Sequence, residues 1–337
     1  MMLLNLYHEG VYVTAMKDTS VQSSHWGISA GTVKMIALAA MFIDHFAHAI
    51  LGRVVAYGNH PVRTAMMANL KNYEQWLEVG ALLYEMMRMI GRISFPIYCF
   101  FIVEGLFHTG NRKKYLLRLL ILALISEIPF DFALFGQISD FNHQNVYFTL
   151  FIGLAAIWGI NALRFFARKE KSVIAELFFT MGITMLATTL AYLLHTDYSI
   201  VGVLTIIVMY LLKTYERKRT AELLATSITG LTVWWLLETP MFVMSSLVFS
   251  ICAISVLVFI VADGKITYPK MAMAGATVLC VTGVSEIPAV FAMLILAFYN
   301  GERGWNSKRF FYLFYPAHLA IIAVIAMVLG LIKFRFN

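Results

Sequence analysis

"KMIALAAMFIDHFAHAI", residues 34–50, is apolar enough to cross a membrane as a helix, yet it carries Lys34, Asp44, His45 and His48. Each helical residue turns about 100° and rises about 1.5 Å, so His45 sits three turns beyond Lys34, about 16 Å along and only about 20° round. His48 and Asp44 fall nearby, which gathers four ionisable side chains into one sector of roughly 100°. The opposite sector holds Ala, Ile, Leu and Phe. This pattern suits a helix with one face on lipid or packed neighbours and the other on a polar cavity, because charged groups inside hydrocarbon persist when partnered or used.

The whole chain has the composition this reading requires. It has 337 residues, 60% of them hydrophobic and 13% charged, with a mean hydropathy of +0.76. A soluble core of that length could not hide so much apolar surface. The net charge of +7 does not point to nucleic acid, because the bases cluster between apolar runs, where they read as topology signals. Cys99, Cys252 and Cys280 lie in apolar stretches without metal-site spacing, and H-E-x-x-H is absent, so no metal is expected. Residues 1–30 lack the basic start, sustained apolar stretch and cleavage site of a signal peptide and read as a cytoplasmic extension. Residues 31–337 then form one polytopic domain.

A bilayer-spanning helix needs about 20 mostly apolar residues. Ten runs qualify, at about 33–52, 80–107, 115–136, 145–162, 173–194, 198–213, 222–239, 241–262, 271–298 and 309–333. The fold class is therefore an all-α integral membrane protein of about ten transmembrane helices around a polar intramembrane cavity. Run nine contains Pro288 and reads as one crossing or as two pieces. The exits "HTGNRKKYLLR", "RFFARKEKS", "KTYERKRTAE", "ADGKITYPK" and "KFRFN" are basic, whereas "FGQISDFNHQN", "LHTDYS" and "LETP" carry no Lys or Arg. Positive-inside bias then puts both termini in the cytoplasm. Two outer connections, around Arg53 to Lys71 and Arg303 to Arg309, break the pattern. The tetrapeptide "SEIP" occurs at Ser126–Pro129 and Ser285–Pro288, but unmatched flanks make a two-fold repeat the weaker explanation.

Counting rises from the cytoplasmic ends brings His45 on run one and Glu127 on run three to a similar depth, with Asp131 one turn beyond Glu127. A tenth run descending from the outer side brings His318 to that depth as well. A midplane base with a cation three turns below it suits an acyl-coenzyme A that enters from the cytoplasm, with its phosphates near Lys34 and its thioester near a histidine. The plainer readings are that Lys34 is a snorkelling anchor, that His318 is a packed core histidine, and that Glu127 and Asp131 flank the interface.

The stretch at 34–50, followed by "GRISFPIYCFFIVEGLFHTGNRKKYLLRLLILALISEIPFD", "NVYFTL", and the late "NGERG" and "KRFFYLFYPAHLAI", resembles the TraX family over roughly residues 31–320. That family is placed with transmembrane acyltransferases whose first helix carries Arg or Lys, ten residues, then His. The resemblance implies a ten-helix acetyl-coenzyme A-dependent acetyltransferase of the bacterial cytoplasmic membrane. Plasmid-borne members are associated with acetylating the amino terminus of pilin, and relatives with acylating surface glycans. It implies His45 as the catalytic base, with Glu127 orienting it and Asp44 beside it. Lys34, Arg92 and Glu104 would serve the donor, and Asp131, Asn145 and His318 the acceptor; Thr149 also matches a motif position. Asp44 lies about 100° from His45 and pairs more naturally with His48 or another span. The expected partners are lipid, acyl-coenzyme A and an acceptor at the outer side, without nucleic acid, and the oligomeric state is open. The long loop "RVVAYGNHPVRTAMMANLKNYEQWLEV" departs from the family and leaves the acceptor open. Direct transfer and an acetyl-histidine intermediate both fit the sequence. So does a different class, a secondary transporter with a His/Glu proton relay. A third class is an assembly factor whose polar sector only fixes packing.

Overall fold

A computed structural model describes residues 26–55, 72–169, 172–216, 219–238, 244–305 and 307–332. The proposed extension over residues 1–30 therefore lies almost entirely outside the described residues. Helix α1, Ala30–Phe46, continues through a π-helical turn at Ala47–Leu51 into a last turn at Gly52–Val55. Then come α2 (Tyr73–Gly91), α3 (Ser94–His108), α4 (Arg112–Phe135), α5 (Val146–Lys169), α6 (Val173–Leu193), α7 (Ser199–Lys213), α8 (Thr220–Leu237) and α9 (Met244–Ala262). Helix α10 (Tyr268–Leu279) passes through two 3-10 stretches, Cys280–Thr282 and Val284–Phe291, into α11 (Ala292–Ala297), and α12 (Lys308–Val328) follows.

Local chemistry explains the boundaries. Asn111 caps α4 by accepting the Lys114 amide at 2.9 Å, and Gly136, at φ 74°, ends it in the left-handed conformation that glycine adopts without penalty. Ser94 Oγ donates to the Gly91 carbonyl at 2.7 Å at the break between α2 and α3. Every residue of α7 from Ile200 to Leu212 is buried, as expected of a helix that is apolar all round. Helices α3, α5, α6, α8 and α10 pack around it. Gly153, Gly230 and Gly275 allow the close approach: a Cβ at these positions would lie 2.1–2.4 Å from Ile206, Leu204 or Met209.

The exterior is apolar, with Leu82, Leu124, Phe178, Leu186, Phe259 and Val328 exposed. Among the described residues six helical stretches, Ala30–Val55, Tyr73–His108, Val146–Arg164, Val173–Leu193, Thr220–Leu237 and Arg309–Val328, are long and apolar enough to cross a membrane. Shorter apolar helices include Ser199–Lys213, Leu247–Ala262 and Val284–Ala297. The chain is a helical membrane protein in contact with lipid.

The direction of the last helix corrects the sequence reading. The amides of Ile28, Ala30 and Gly31 donate to the carbonyls of Phe298, Glu302 and Arg303 at 2.7, 2.8 and 3.0 Å. The 298–303 segment therefore lies at the Lys34 end of α1. Tyr268, at the start of α10, packs on Tyr299 with ring centroids 5.0 Å apart. Run nine thus dips into the bundle and returns to the side it came from. It does so because Gly283, at φ 149°, and Pro288 interrupt the helix. Helix α12 then rises parallel to α1: Lys34 Nζ lies 5.6 Å from the Phe311 ring centroid, His45 meets His318 at 2.8 Å, and Ile332 packs beside Gly136 near Arg53. The expectation that run ten descends does not hold: Ala30 and Ile332 lie at opposite ends of the bundle, and the two termini, expected to share a face, lie outside the described residues. The basic stretch Arg303 to Arg309 consequently joins the other basic connections. Arg53 is not a loop charge; its guanidinium donates to the carbonyls of Ala49, Ala133 and Leu134 at 2.7–2.9 Å.

At the Lys34 end a buried charge network ties α5, α6 and α8 together. Arg164 reaches Glu222 at 2.7 Å and Thr214 at 2.9 Å, Thr180 donates to Glu222 at 2.6 Å, and Arg219 reaches Glu176 at 2.8 Å. Arg164→Met removes one partner and leaves buried carboxylate charge under-compensated, for an expected loss of about 3–5 kcal/mol. A thermal melt in detergent should show the drop, and adding Glu222→Gln should restore part of it.

The chain direction is checked by cysteine labelling in intact cells. Glu302→Cys should share the accessibility of Lys114→Cys to an impermeant maleimide, and Leu329→Cys should show the opposite. Matching accessibility at 302 and 329 would overturn the returning hairpin.

Candidate functional site

Helix α1 presents its polar sector to two cavities. One, of about 380 Å³, opens among Lys34, Arg118, Arg303, His108, Tyr312 and Phe101. The other, of about 180 Å³, is lined by Asp44, His45, His48, Arg88, Arg92 and Asp197. Met41, Tyr98 and Val146 border both, so the two cavities share a wall, and His45 lines the smaller one. The Tyr98 hydroxyl is buried there without a hydrogen-bond partner. Lys34 Nζ sits 4.7 Å from the centroid of Phe101, a cation–π contact that leaves its N–H donors for another group.

His45 is buried and its Nδ1 lies 2.8 Å from Nε2 of His318. The two rings are inclined by only 8°, with centroids 5.1 Å apart, an edge-to-edge arrangement consistent with an in-plane hydrogen bond. His318 Nδ1 is 2.9 Å from the Phe314 carbonyl one turn back on α12. Tyr315 packs edge-on against both rings, and His318 lines neither cavity.

Around the smaller cavity the charges are paired across elements. Arg88 holds Asp44 at 2.6 Å, leaving Asp44 Oδ1 buried without a partner. The backbone approach is close: a Cβ on Gly91 would lie 2.3 Å from the Asp44 side chain. Arg92 reaches Glu286, at the tip of the returning hairpin, at 3.1 Å and the Tyr198 hydroxyl at 3.4 Å. Tyr198 in turn lies flat on Phe95, with centroids 3.8 Å apart.

The sequence-predicted residues are thus divided. His45, Asp44 and Arg92 line the smaller cavity, so Arg92 lies apart from the larger cavity, where Lys34 and Glu104 lie. Glu104 is bonded to Lys213, with His108 at 3.6 Å. Glu127 does not reach His45; it accepts the side-chain and backbone N–H groups of Asn145, the latter at 3.2 Å. Asp131 accepts the Asp140 amide at 2.7 Å, and Thr149 donates to the Asp197 carbonyl. Glu127, Asp131 and Asn145 line neither cavity and brace the corner between α4 and α5. The parallel course of α12 gives His318 the place beside His45 that the sequence reading gave Glu127. Arg88, Tyr98, Arg118, Asp197 and Glu286 escaped that reading. Arg303 stood in the quoted "NGERG" but was assigned no role. Among the described residues no three His, Cys, Asp or Glu side chains are grouped to hold a metal ion.

Such an arrangement defines a class: a helical membrane protein with a buried histidine pair beside two neighbouring cavities that share lining residues. The chain belongs to the TraX family, whose model, described as TraX protein, matches residues 29–272 and 250–326. It is 27% identical over 311 residues to the probable fimbrial assembly protein FimC, serogroup H1, of Dichelobacter nodosus, an alignment covering 89% of this chain and 97% of that one. No solved structure matches it.

Asp197, in the connection between α6 and α7, gives a pH test. Burial pushes its carboxyl up to about 6, against the pull of the Arg92 guanidinium. A raised acid binds its proton more tightly in the folded state, so stability should fall as pH rises from about 4 through about 6. Asp197→Asn should melt higher than wild type at pH 7 and flatten that fall, as read by thermal shift across pH. An unchanged slope would assign it to other groups.

Proposed function

We propose that this protein is a membrane-bound acetyltransferase that moves an acetyl group from acetyl-coenzyme A to an amine or hydroxyl acceptor. The observation that carries the reading is a cation-flanked cavity that shares lining residues with a second cavity lined by a buried histidine. The FimC resemblance favours an acceptor in fimbrial assembly, such as the amino terminus of a pilin-like protein, over a surface glycan. About ten helical passes, counting the returning hairpin, would enclose the cavities. The Lys34 end faces the cytoplasm of a bacterial cytoplasmic membrane, because the bases around Arg112, Lys213, Lys270 and Arg303 gather there.

The larger cavity fits the donor's chemistry. Lys34, Arg118 and Arg303 supply cations for phosphates, the ring of Phe101 and its neighbours gives an apolar wall, and Tyr98, whose hydroxyl is buried without a partner among the described residues, is part of the lining. When bound, acetyl-coenzyme A supplies an activated acyl carbon and a thiol leaving group. His45 takes the proton of the attacking amine or hydroxyl and returns it to the departing sulfur. Tyr98 donates a hydrogen bond to the carbonyl oxygen as it gains negative charge. The acceptor enters the smaller cavity, whose walls are held by the Asp44–Arg88 and Arg92–Glu286 pairs.

Kinetics on purified protein test this reading. Lys34→Ala should raise the KM for acetyl-coenzyme A by about 10- to 100-fold, the loss of one charge-assisted contact, and Lys34→Arg should keep much of the activity. His45→Ala should leave donor binding intact and lower kcat by about 10²- to 10⁴-fold. Free thiol release reads turnover. Wild-type turnover in folded His45→Ala would refute the assignment, and proton-coupled uptake without thioester cleavage would favour the transporter reading.

A further inference from the structure

The histidine pair contains more information than the presence of a base. A backbone carbonyl only accepts hydrogen bonds, so the 2.9 Å contact between His318 Nδ1 and the Phe314 oxygen requires the proton on His318 Nδ1. This contact joins residues one turn apart on the same helix, so α12 sets it without help from α1. In the neutral ring the other nitrogen, Nε2, then carries the lone pair. That lone pair faces His45 Nδ1 at 2.8 Å, in a bond whose rings are nearly coplanar. With one proton per ring a single arrangement closes both bonds: His45 Nδ1–H donates to His318 Nε2, and His45 Nε2 is bare.

We infer that His318 is a positioning residue that fixes His45 in the Nδ1–H tautomer and leaves Nε2 as the proton-accepting atom for the cavity that His45 lines. The opposite tautomer would put two lone pairs face to face across 2.8 Å. The packing prevents escape by ring rotation. Tyr315 stands edge-on to both rings at 5.8 and 5.4 Å, and Phe314 lies nearly parallel to His318 at 5.0 Å. His318 is buried and outside both cavities, so it acts through His45 and not on the substrate.

The catalytic consequence rests on the acyl-transfer reading; the tautomer does not. In the transfer step the acceptor's proton passes to His45 Nε2 as its nitrogen or oxygen bonds to the acyl carbon, and the carbon–sulfur bond breaks. The proton on Nε2 then leaves with the thiolate. While His45 is cationic, its Nδ1–H bond to His318 spreads the charge over the pair, the part played by the orienting group of a catalytic triad. Both rings finish as they began.

The first test needs no activity. Nitrogen NMR of full-length protein labelled at histidine, with the His45 signals assigned by their loss in His45→Asn, should show a protonated Nδ1 and a bare Nε2. The Nε2–H tautomer would overturn the inference even if the protein transfers acetyl groups. The second test is kinetic. His318→Leu should lower kcat by about 10²- to 10³-fold with the KM for acetyl-coenzyme A unchanged. His318→Gln, whose carbonyl oxygen can accept from His45 Nδ1, should lose no more than about tenfold and keep the tautomer. Equal losses in Leu and Gln, or wild-type kcat in a folded His318→Leu, would overturn the positioning role. A wild-type protein that showed the Nδ1–H tautomer but cleaved no thioester would refute the transferase reading and leave the tautomer standing.

Discussion

The first turn of any helix has backbone N–H groups without intrahelical acceptors; at α1 the carbonyls of Glu302 and Arg303 take up those of Ala30 and Gly31, and Phe298 takes that of Ile28 just before the helix. That pairing fixes where the chain stands just before α12 begins. With both helices rising from the same end of the bundle, His318 on α12 arrives beside His45 on α1. Had α12 entered from the opposite end, a histidine at the same height would have approached with its side chain tilted the other way, since Cβ atoms point toward a helix's own N-terminus. The histidine pair thus depends on backbone contacts about four turns away along α1.

The returning hairpin that makes this possible has a second effect. Its tip places Glu286 against Arg92, and the break between α2 and α3 lets Arg92 reach both Glu286 and Tyr198. Arg88, one turn earlier, reaches Asp44 on α1. The polar groups of the smaller cavity are therefore joined across α1, α2 and the hairpin. Desolvating such groups is costly, and deleting one partner of a pair leaves the other exposed to that cost. The cavity's shape and its charge balance are consequently coupled.

Within this frame His45 has one nitrogen engaged by His318, while Lys34 lies over the Phe101 ring in the lining of the other cavity. In the proposed transfer the two would act at different distances from the chemistry. A lysine held over an aromatic ring works as a mobile point charge, whereas an imidazole locked by a coplanar partner works as a directional base. Glu127, Asp131 and Asn145 belong to neither role, because their hydrogen bonds close the α4–α5 corner. Motif residues of one chain segment thus split between chemistry and architecture.

The sequence alone determined the membrane environment, the helical runs, the shared face of Lys34 and His45, and the family. All of these follow from composition, from a 100° period and from linear motifs, which need no knowledge of neighbours. His45, Lys34 and Asp44 could be singled out because an ionisable group in an apolar helix is visible in one dimension. The tertiary structure decided which helices run parallel. An apolar stretch such as 271–298 reads identically whether it crosses or returns; the hydrogen bonds of residues 28–31 to 298–303 and the packing of Tyr268 on Tyr299 distinguish the two. It also decided the partner of His45, since Glu127 and His318 were both placed at the right height by counting rises. Height is a local property, but which side chain faces which is set by packing between segments far apart in the chain.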